Sequence, residues 1–118
     1  MLKEEKFKVI NFVREMIVLI DTELDNFPKK DIEIKNRLRN STYDLLELVY
    51  FANTAADVEV RKNLLEQAIS KMKVIDFLVN LIYDKKIINS KKYYKLGQKS
   101  DDIVKYLIGW IKSLNIRA

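Results

Sequence analysis

Residues 64–82 read LLEQAISKMKVIDFLVNLI and contain the most regular helical repeat of the chain. Their apolar side chains recur at alternating steps of three and four residues, which places them on one stripe of an α-helix. The stripe consists of Leu65, Ala68, Met72, Ile75, Val79 and Ile82. The stretch therefore predicts a long amphipathic helix with one buried face.

Three other segments show the same period. Their apolar stripes are Ile10, Val13, Ile17, Ile20 and Leu24; Ile34, Leu38, Leu45, Leu48, Val49 and Ala52; and Tyr93, Leu96, Ile103, Leu107, Trp110 and Leu114. Pro28 separates the first segment from the second, because proline disfavours helix at its own position and at the preceding residue. Asp31, Asp57 and Ser90 are suitable N-caps for the second, third and fourth helices.

Four helices of about twenty residues with short links predict an all-α fold, an antiparallel up-down-up-down four-helix bundle. We expect one domain over residues 1–118, because chains divide into separate cores only above this length. The first helix has a wider apolar surface than one neighbour needs. Phe12, Met16 and Leu19 lie on its side, and we expect them to contact another subunit.

The composition argues against catalysis. The chain has no cysteine and no histidine, so it lacks thiolate metal ligands, the usual general base and the commonest metal ligand. Asp44 and Glu47 are one helical turn apart, but without a partner pair they are typical of solvated helix surface. We expect no catalytic residue, no metal, no cofactor and no enzyme activity.

The chain shows no targeting or membrane segment. Its first residues are of mixed charge, and no apolar run with a small-residue cleavage site follows them. The most apolar stretch, residues 9–20, contains Arg14 and Glu15 and is too short to span a bilayer. We expect a soluble, cytoplasmic protein with no membrane partner.

The net charge of +5 is unevenly distributed. Residues 1–58 hold 9 basic and 11 acidic residues, and residues 59–118 hold 13 basic and 6 acidic residues. In an antiparallel bundle, residues 21–39 and 84–99 share one end of the molecule, here called the basic pole. It contains 11 basic and 6 acidic residues, and therefore carries the whole net charge. Its basic residues are Lys29, Lys30, Lys35, Arg37, Arg39, Lys85, Lys86, Lys91, Lys92, Lys95 and Lys99.

Such a pole is suited to nucleic-acid phosphates, because lysine and arginine displace the counterions condensed on a polynucleotide. Tyr93 and Tyr94 lie among the lysines and could stack on an unpaired base, although Tyr93 fits a core position better. The alternative interpretation is ordinary solubilising surface. Lysines at the start of the fourth helix favour binding, because the helix dipole does not favour cations there.

Three short stretches carry a family resemblance: FPK at residues 27–29, DLLEL at residues 44–48 and LIGWIKS at residues 107–113. In their order and spacing the chain resembles the accessory variability determinant (Avd) of diversity-generating retroelements, from about Leu24 to Ser113. One departure is Ile108, where that family usually has a second glycine before the tryptophan.

The resemblance implies a four-helix protomer that assembles into a barrel-like homopentamer with a positively charged surface. It also implies association with the reverse transcriptase of the element and with its template RNA or DNA, in support of cDNA synthesis. Basic side chains would be the working parts, and the protein itself would not be the polymerase.

Two other interpretations remain open at this point. The four-helix proteins encoded by intervening sequences in large ribosomal RNA genes look similar, also oligomerise and have no settled activity. A structural or regulatory oligomer whose basic pole binds an acidic protein partner would show the same charge pattern.

Overall fold

The computed structural model describes the backbone of residues 3–24 and 26–117 and the side chains of residues 8–22 and 26–114. These residues form four α-helices: α1 (Lys3–Leu24), α2 (Ile32–Thr54), α3 (Val58–Asp84) and α4 (Ser90–Arg117). A short 3₁₀ turn, Lys29–Asp31, follows Pro28 and leads into α2. The side chain of Leu24, which was predicted in the α1 stripe, lies outside the described residues.

The helices are arranged in a ring. Each packs against its neighbours in sequence, and α1 packs against α4 to close the bundle. The molecule measures 48 × 23 × 18 Å, and its long dimension matches α4, whose 28 residues extend about 42 Å at the usual rise. The predicted all-α, up-down-up-down four-helix bundle is confirmed. None of the described helices is long and apolar enough to cross a membrane.

The core follows the predicted stripes in three of the helices. In α3 all six predicted residues are buried. In α2 the buried members are Leu38, Leu45, Val49 and Ala52, and in α4 they are Leu96, Ile103, Leu107, Trp110 and Leu114. The remaining predicted positions, Ile34, Leu48 and Tyr93, are partly buried and pack against this core. The periodicity therefore identified the buried face of each of these helices.

The buried face of α1 is rotated relative to the prediction. Met16 has no exposed surface and belongs to the core, whereas Ile17 is only partly buried. The prediction that Met16 contacts another subunit is therefore wrong, because the protomer itself encloses this side chain. Steps of three and four residues lead from Val13 to Ile20 through either residue, and the positions of α2 and α4 determine which one is enclosed.

The helix ends confirm one of the three predicted caps. The Asp57 carboxylate accepts hydrogen bonds from the backbone N–H groups of Glu59 (2.7 Å) and Val60 (3.2 Å). Asp31 precedes α2 but its side chain accepts no hydrogen bond from the helix backbone. At α4 the cap is Asn89 and not Ser90, since Asn89 Oδ1 accepts a hydrogen bond from the Lys92 N–H at 2.9 Å.

Candidate nucleic-acid interface

The start of α2 and the end of α3 meet at the basic pole. Asp31 is 7% exposed, and its Oδ1 lies 3.3 Å from Nζ of Lys85 just beyond the end of α3. At the end of α1, Asp21 Oδ1 lies 3.6 Å from Nε of Arg39 on α2. The side chains of Lys30, Lys85 and Lys86 line a crevice beside Asp31. The fold thus brings the two sequence windows of the pole together.

The eleven predicted basic residues differ in their accessibility. Three are partly buried, and these are Lys35, Arg39 and Lys99. The exposed members are Lys29, Lys30, Arg37, Lys85, Lys86, Lys91, Lys92 and Lys95. Arg39, Lys85 and Lys99 form ion pairs with acidic residues of other elements. Part of the predicted set therefore joins elements of the bundle through ion pairs, and most of the set is exposed at the surface of the pole.

The connection between α3 and α4 holds Lys86 in a left-handed conformation. Its φ is 63°, the one positive value among the described non-glycine residues. The N–H of Lys86 donates to Tyr83 O and the N–H of Ile87 to Ile82 O, each at 2.9 Å. This is the Schellman arrangement, in which glycine usually occupies the left-handed position. A lysine there lowers stability, because its Cβ is crowded by its own backbone.

Lysines also occupy the start of α4 in an electrostatically unfavourable place. Lys91 and Lys92 lie in the first turn, which contains no acidic residue. The N-terminus of a helix carries a partial positive charge, so cations there are disfavoured and anions are attracted. An anion bound at this turn would interact favourably with Lys91 and with the helix dipole.

A groove between α1 and α4 continues the basic surface away from the pole. Its first part, of about 210 Å³, is lined by Leu19, Asn89, Lys91, Lys92, Lys95 and Leu96. Its second part is lined by Asn11, Arg14, Glu15, Val18, Leu19, Lys95 and Lys99. These residues together are called the α1–α4 groove. Its lining combines basic side chains with the apolar Val18, Leu19 and Leu96, and also contains Glu15, which is paired with Lys99. Basic and apolar groups side by side can contact the phosphates and the bases of a single strand.

Arg14 and Val18 belong to this groove and were not predicted to be functional. Arg14 is more than one helical turn from the α1 end of the pole, so the charge windows excluded it. Val18 is 64% exposed although it lies in the most apolar stretch of the sequence. The sequence does place both residues beside the predicted stripe of α1. It could not show that α4 contributes Lys95 and Lys99 to the same groove.

The remaining predicted oligomer contacts also lie on this side of the molecule. Phe12 is partly buried against Tyr106, with ring centroids 5.4 Å apart, and Lys99 Nζ lies 5.1 Å from the Phe12 centroid. Leu19 lines the groove together with Lys95. A second subunit seated on Leu19 would therefore cover lysines of the predicted nucleic-acid surface. The two predicted surfaces therefore adjoin each other in the groove, and the oligomer role of Phe12 and Leu19 stays a prediction.

A second opening lies between α3 and α4, on the other side of α4. It is lined by Asp76, Val79, Asn80, Tyr93, Tyr94, Gly97, Gln98, Ser100 and Asp101, and is called the tyrosine pocket. Tyr93 is partly buried, as expected for a core-facing residue, and stacks on Tyr83 at 4.1 Å with the rings 7° from parallel. Tyr94 is 72% exposed. The two adjacent tyrosines therefore have different surroundings.

Asp76 is the acidic group of the tyrosine pocket whose ionisation is perturbed. Burial raises its pKa above 3.8, and the neighbouring Asp101 carboxylate acts in the same direction, while a hydrogen bond with the Ser100 side chain lowers it. Asp44, in contrast, is exposed, and its Oδ2 lies 3.6 Å from Lys71 Nζ. Among the described residues, no group of three or more acidic side chains is arranged to hold a metal ion.

Comparison with known proteins supports the fold. The chain is similar to a protein of unknown function from the S23 ribosomal protein family of Bacteroides thetaiotaomicron VPI-5482, whose crystal structure was determined at 1.70 Å. The TM-score is 0.83 at 18% sequence identity, over 92% of this chain and 98% of the other. No protein-family model and no curated protein matches the sequence. At this identity the likeness establishes the four-helix architecture.

Proposed function

We propose that the chain is a non-catalytic nucleic-acid-binding protein that holds phosphates on the lysines of the basic pole and the α1–α4 groove. The carrying observation is the cluster of exposed basic side chains at the pole, which continues into the first turn of α4 at Lys91, where the helix has no acidic residue. A solubilising surface has no need of cations at a helix N-terminus, where they oppose the dipole. Phosphate at this turn would interact favourably with Lys91 and with the helix dipole.

The shape of the basic surface supports a polynucleotide ligand over a single anion. The exposed lysines extend from the 3₁₀ turn across the pole to Lys95, and the α1–α4 groove continues past the ion pair of Lys99 with Glu15 to the exposed Arg14. Several phosphates in a row are needed to engage a surface of this extent. Each neutralised phosphate releases condensed counterions, so a polynucleotide gains affinity from the whole length of the groove.

The specific role that we propose comes from the sequence resemblance. In a diversity-generating retroelement, an Avd-like protein would bind template RNA or DNA together with the reverse transcriptase and support cDNA synthesis, without being an enzyme. A cytoplasmic homo-oligomer, and a pentamer in particular, would suit this role. The exposed side chains of Phe77 (64%) and Val74 (38%) on α3 offer an apolar surface for such assembly that leaves the groove open.

The structural neighbour favours a second candidate. Its name places it in the S23 ribosomal protein family, and the intervening-sequence proteins of large ribosomal RNA genes are the corresponding alternative for this chain. Both candidates are four-helix proteins. A neighbouring reverse transcriptase gene with template and variable repeats would favour the retroelement role, and a location inside a ribosomal RNA gene would favour the second. Binding to an acidic protein but to no polynucleotide would contradict both.

The decisive variant replaces Lys91, Lys92 and Lys95 by glutamate. We expect affinity for single-stranded RNA to fall by more than tenfold, and the slope of log affinity against log salt to decrease by about 2, since each single-strand contact contributes about 0.7. Fluorescence anisotropy at several salt concentrations measures both quantities. The free energy of unfolding should not fall, because the change removes cations from the start of α4.

The matched control replaces Lys62, Lys73 and Lys112 by glutamate, which changes the net charge by the same amount outside the pole. Binding by this control should remain several-fold stronger than binding by the pole variant. Equal losses in the two variants would mean that only the overall charge matters. Wild-type affinity that does not depend on salt would remove the nucleic-acid role altogether.

A further inference from the structure

The exposed tyrosine at the start of α4 is held at a fixed edge of the tyrosine pocket. The Tyr94 ring lies 6.1 Å from that of Tyr93, at 55°. Tyr93 is in turn stacked on Tyr83, and its hydroxyl donates a hydrogen bond to Asn80 Oδ1. Tyr94 thus has an accessible ring and lies against Tyr93, which is fixed by its contacts with Tyr83 and Asn80. An accessible aromatic ring is what stacks on unpaired bases in single-strand-binding proteins.

The space beside Tyr94 in the tyrosine pocket is unfilled because residue 97 is a glycine. Gly97 follows Tyr94 by three residues, so the two lie on one face of α4. A Cβ at Gly97 would meet no atom within 4 Å, so the missing side chain leaves open space and not a tight backbone contact. Glycine inside a helix costs about 1 kcal/mol relative to alanine, and no packing requirement of the protomer explains it here. A flat ligand over Tyr94 would use that space.

The polar groups around the space are suited to the edge of a base. Gln98 offers an amide group, Asn80 offers the amide nitrogen that is left after its Oδ1 accepts from the Tyr93 hydroxyl, and Asp76 and Asp101 offer carboxylate oxygens. Carboxylates accept hydrogen bonds from amino groups such as N4 of cytosine, and amides form paired hydrogen bonds with adenine. Uracil and thymine have no exocyclic amino group. The acids also repel phosphate, which has to lie outside the pocket.

The outer ridge of α4 connects this pocket to the lysines. Lys91 is three residues before Tyr94 and Gln98 is four residues after it, so the three share the outer face of the helix. Lys91 also lines the α1–α4 groove together with Lys95. Phosphates on these lysines would therefore lie within one helical turn, about 5 Å along the axis, of a base at Tyr94.

We infer that the tyrosine pocket receives one unpaired, amino-bearing base of a single-stranded nucleic acid, stacked on Tyr94 above Gly97, while Lys91 and Lys95 hold the flanking phosphates. The inference rests on the proposed function and specifies its ligand as single-stranded. A base inside a duplex is stacked on both faces and paired along one edge, so it cannot enter the pocket. A cationic side chain of a partner protein fits less well, because the adjacent lysines repel it.

The test measures binding of fluorescein-labelled RNA octamers, oligo(C) and oligo(U), and of an RNA duplex at one salt concentration. We expect oligo(C) to bind several-fold more tightly than oligo(U). Tyr94→Ala should weaken oligo(C) binding by about tenfold, consistent with the loss of one stacked base, and should leave duplex binding unchanged. Tyr94→Phe keeps the ring and should bind within twofold of the wild type.

A second variant tests the space independently of the tyrosine. Gly97→Met places a side chain in the pocket without changing the charge, and should weaken oligo(C) binding several-fold. Gly97→Ala, in contrast, should raise the melting temperature, which shows that the position tolerates a side chain in the folded protein. The salt dependence should remain that of the wild type in all of these variants, because the lysines are intact.

The outcomes separate the two proposals. If wild-type protein binds no polynucleotide, the proposed function itself fails. If it binds with the expected salt dependence but Tyr94→Ala and Gly97→Met bind oligo(C) as tightly as the wild type does, the basic surface is the whole site and the base pocket is refuted. Equal affinity for oligo(C) and oligo(U) would contradict the role of the pocket carboxylates.

Discussion

The connection between α2 and α3 and the connection between α3 and α4 both join antiparallel helices within a few residues, but they use charged side chains differently. In the first, the Asp57 carboxylate caps α3. The Arg61 guanidinium donates from Nε to Ala52 O at 2.9 Å, and from a terminal nitrogen to Ala55 O. These charges satisfy backbone groups that the helix ends would otherwise leave without partners.

The second connection places charge where stability does not favour it. Its cap is the uncharged Asn89, its left-handed position is filled by Lys86, and lysines follow in the first turn of α4. Glycine at residue 86 and acidic residues in the first turn of α4 would give a more stable fold than the lysines found there. The charges of the first connection thus stabilise the helix ends, whereas in the second the left-handed Lys86 and the lysines at the α4 N-terminus act against the local backbone conformation or the helix dipole.

The largest effect on stability is expected at the first connection. Arg61→Ala should lower the free energy of unfolding by about 2–3 kcal/mol, because two part-buried carbonyl groups lose a charged donor. Urea denaturation followed by circular dichroism measures the change. Arg61→Lys is the control, and it should recover only part of the loss because an ammonium group lacks the planar fork of the guanidinium. A loss below about 0.5 kcal/mol would assign Arg61 to the surface.

Removal of the helix caps should lower the free energy of unfolding by less than Arg61→Ala does, and by different amounts at the two connections. Asp57→Ala should cost about 1–1.5 kcal/mol, because it removes both a cap and a favourable charge at the N-terminus of α3. Asn89→Ala should cost about 0.5–1 kcal/mol, because only the cap is lost. The same urea titrations give both values, with Asp57→Asn as the control that keeps the cap without the charge. Asn89→Ala being the costlier change would reverse the comparison.

The smallest expected effect has the opposite sign. Lys86→Gly should raise the free energy of unfolding by about 0.5–1 kcal/mol, since glycine adopts the left-handed conformation without strain. Lys86→Ala removes the charge but keeps the strain, and its stability should remain near that of the wild type. If both variants were equally stabilised, the penalty at residue 86 would come from charge repulsion and not from the backbone. Both should bind RNA slightly more weakly than the wild type.

The fold could be predicted from local pattern because each helix repeats one stripe over many residues. The α3 stripe, from Leu65 to Ile82, needed no knowledge of its neighbours. At Met16 the pattern did not suffice, since Met16 and Ile17 are both compatible with the period and the packing of α1 against α2 and α4 decides between them. Asn89 and Ser90 are likewise adjacent residues of equal capping ability, and a backbone difference of one residue selects Asn89.

The site could be predicted in outline only. Helix order was enough to place the basic windows at one end, but it could not show that Arg39, Lys85 and Lys99 are engaged with acids. Arg14 and the tyrosine pocket depend on contacts between helices far apart in sequence, since α4 adjoins both α1 and α3. The difference between Tyr93 and Tyr94 was predicted, since the period of α4 includes Tyr93 in the apolar stripe and leaves Tyr94 outside it, but the stacking of Tyr93 on Tyr83 was not.

One feature of the core has a practical consequence. Trp110 is the one tryptophan of the chain, and its side chain is completely enclosed, whereas Tyr94 is the most exposed of the large hydrophobic residues described. Tryptophan emission from the unmodified protein will therefore report whether the bundle is intact. The chain has six tyrosines, so tyrosine emission does not distinguish Tyr94 from the others. Trp110 thus gives the protein a single intrinsic optical probe, which reports on folding at one known position of the core.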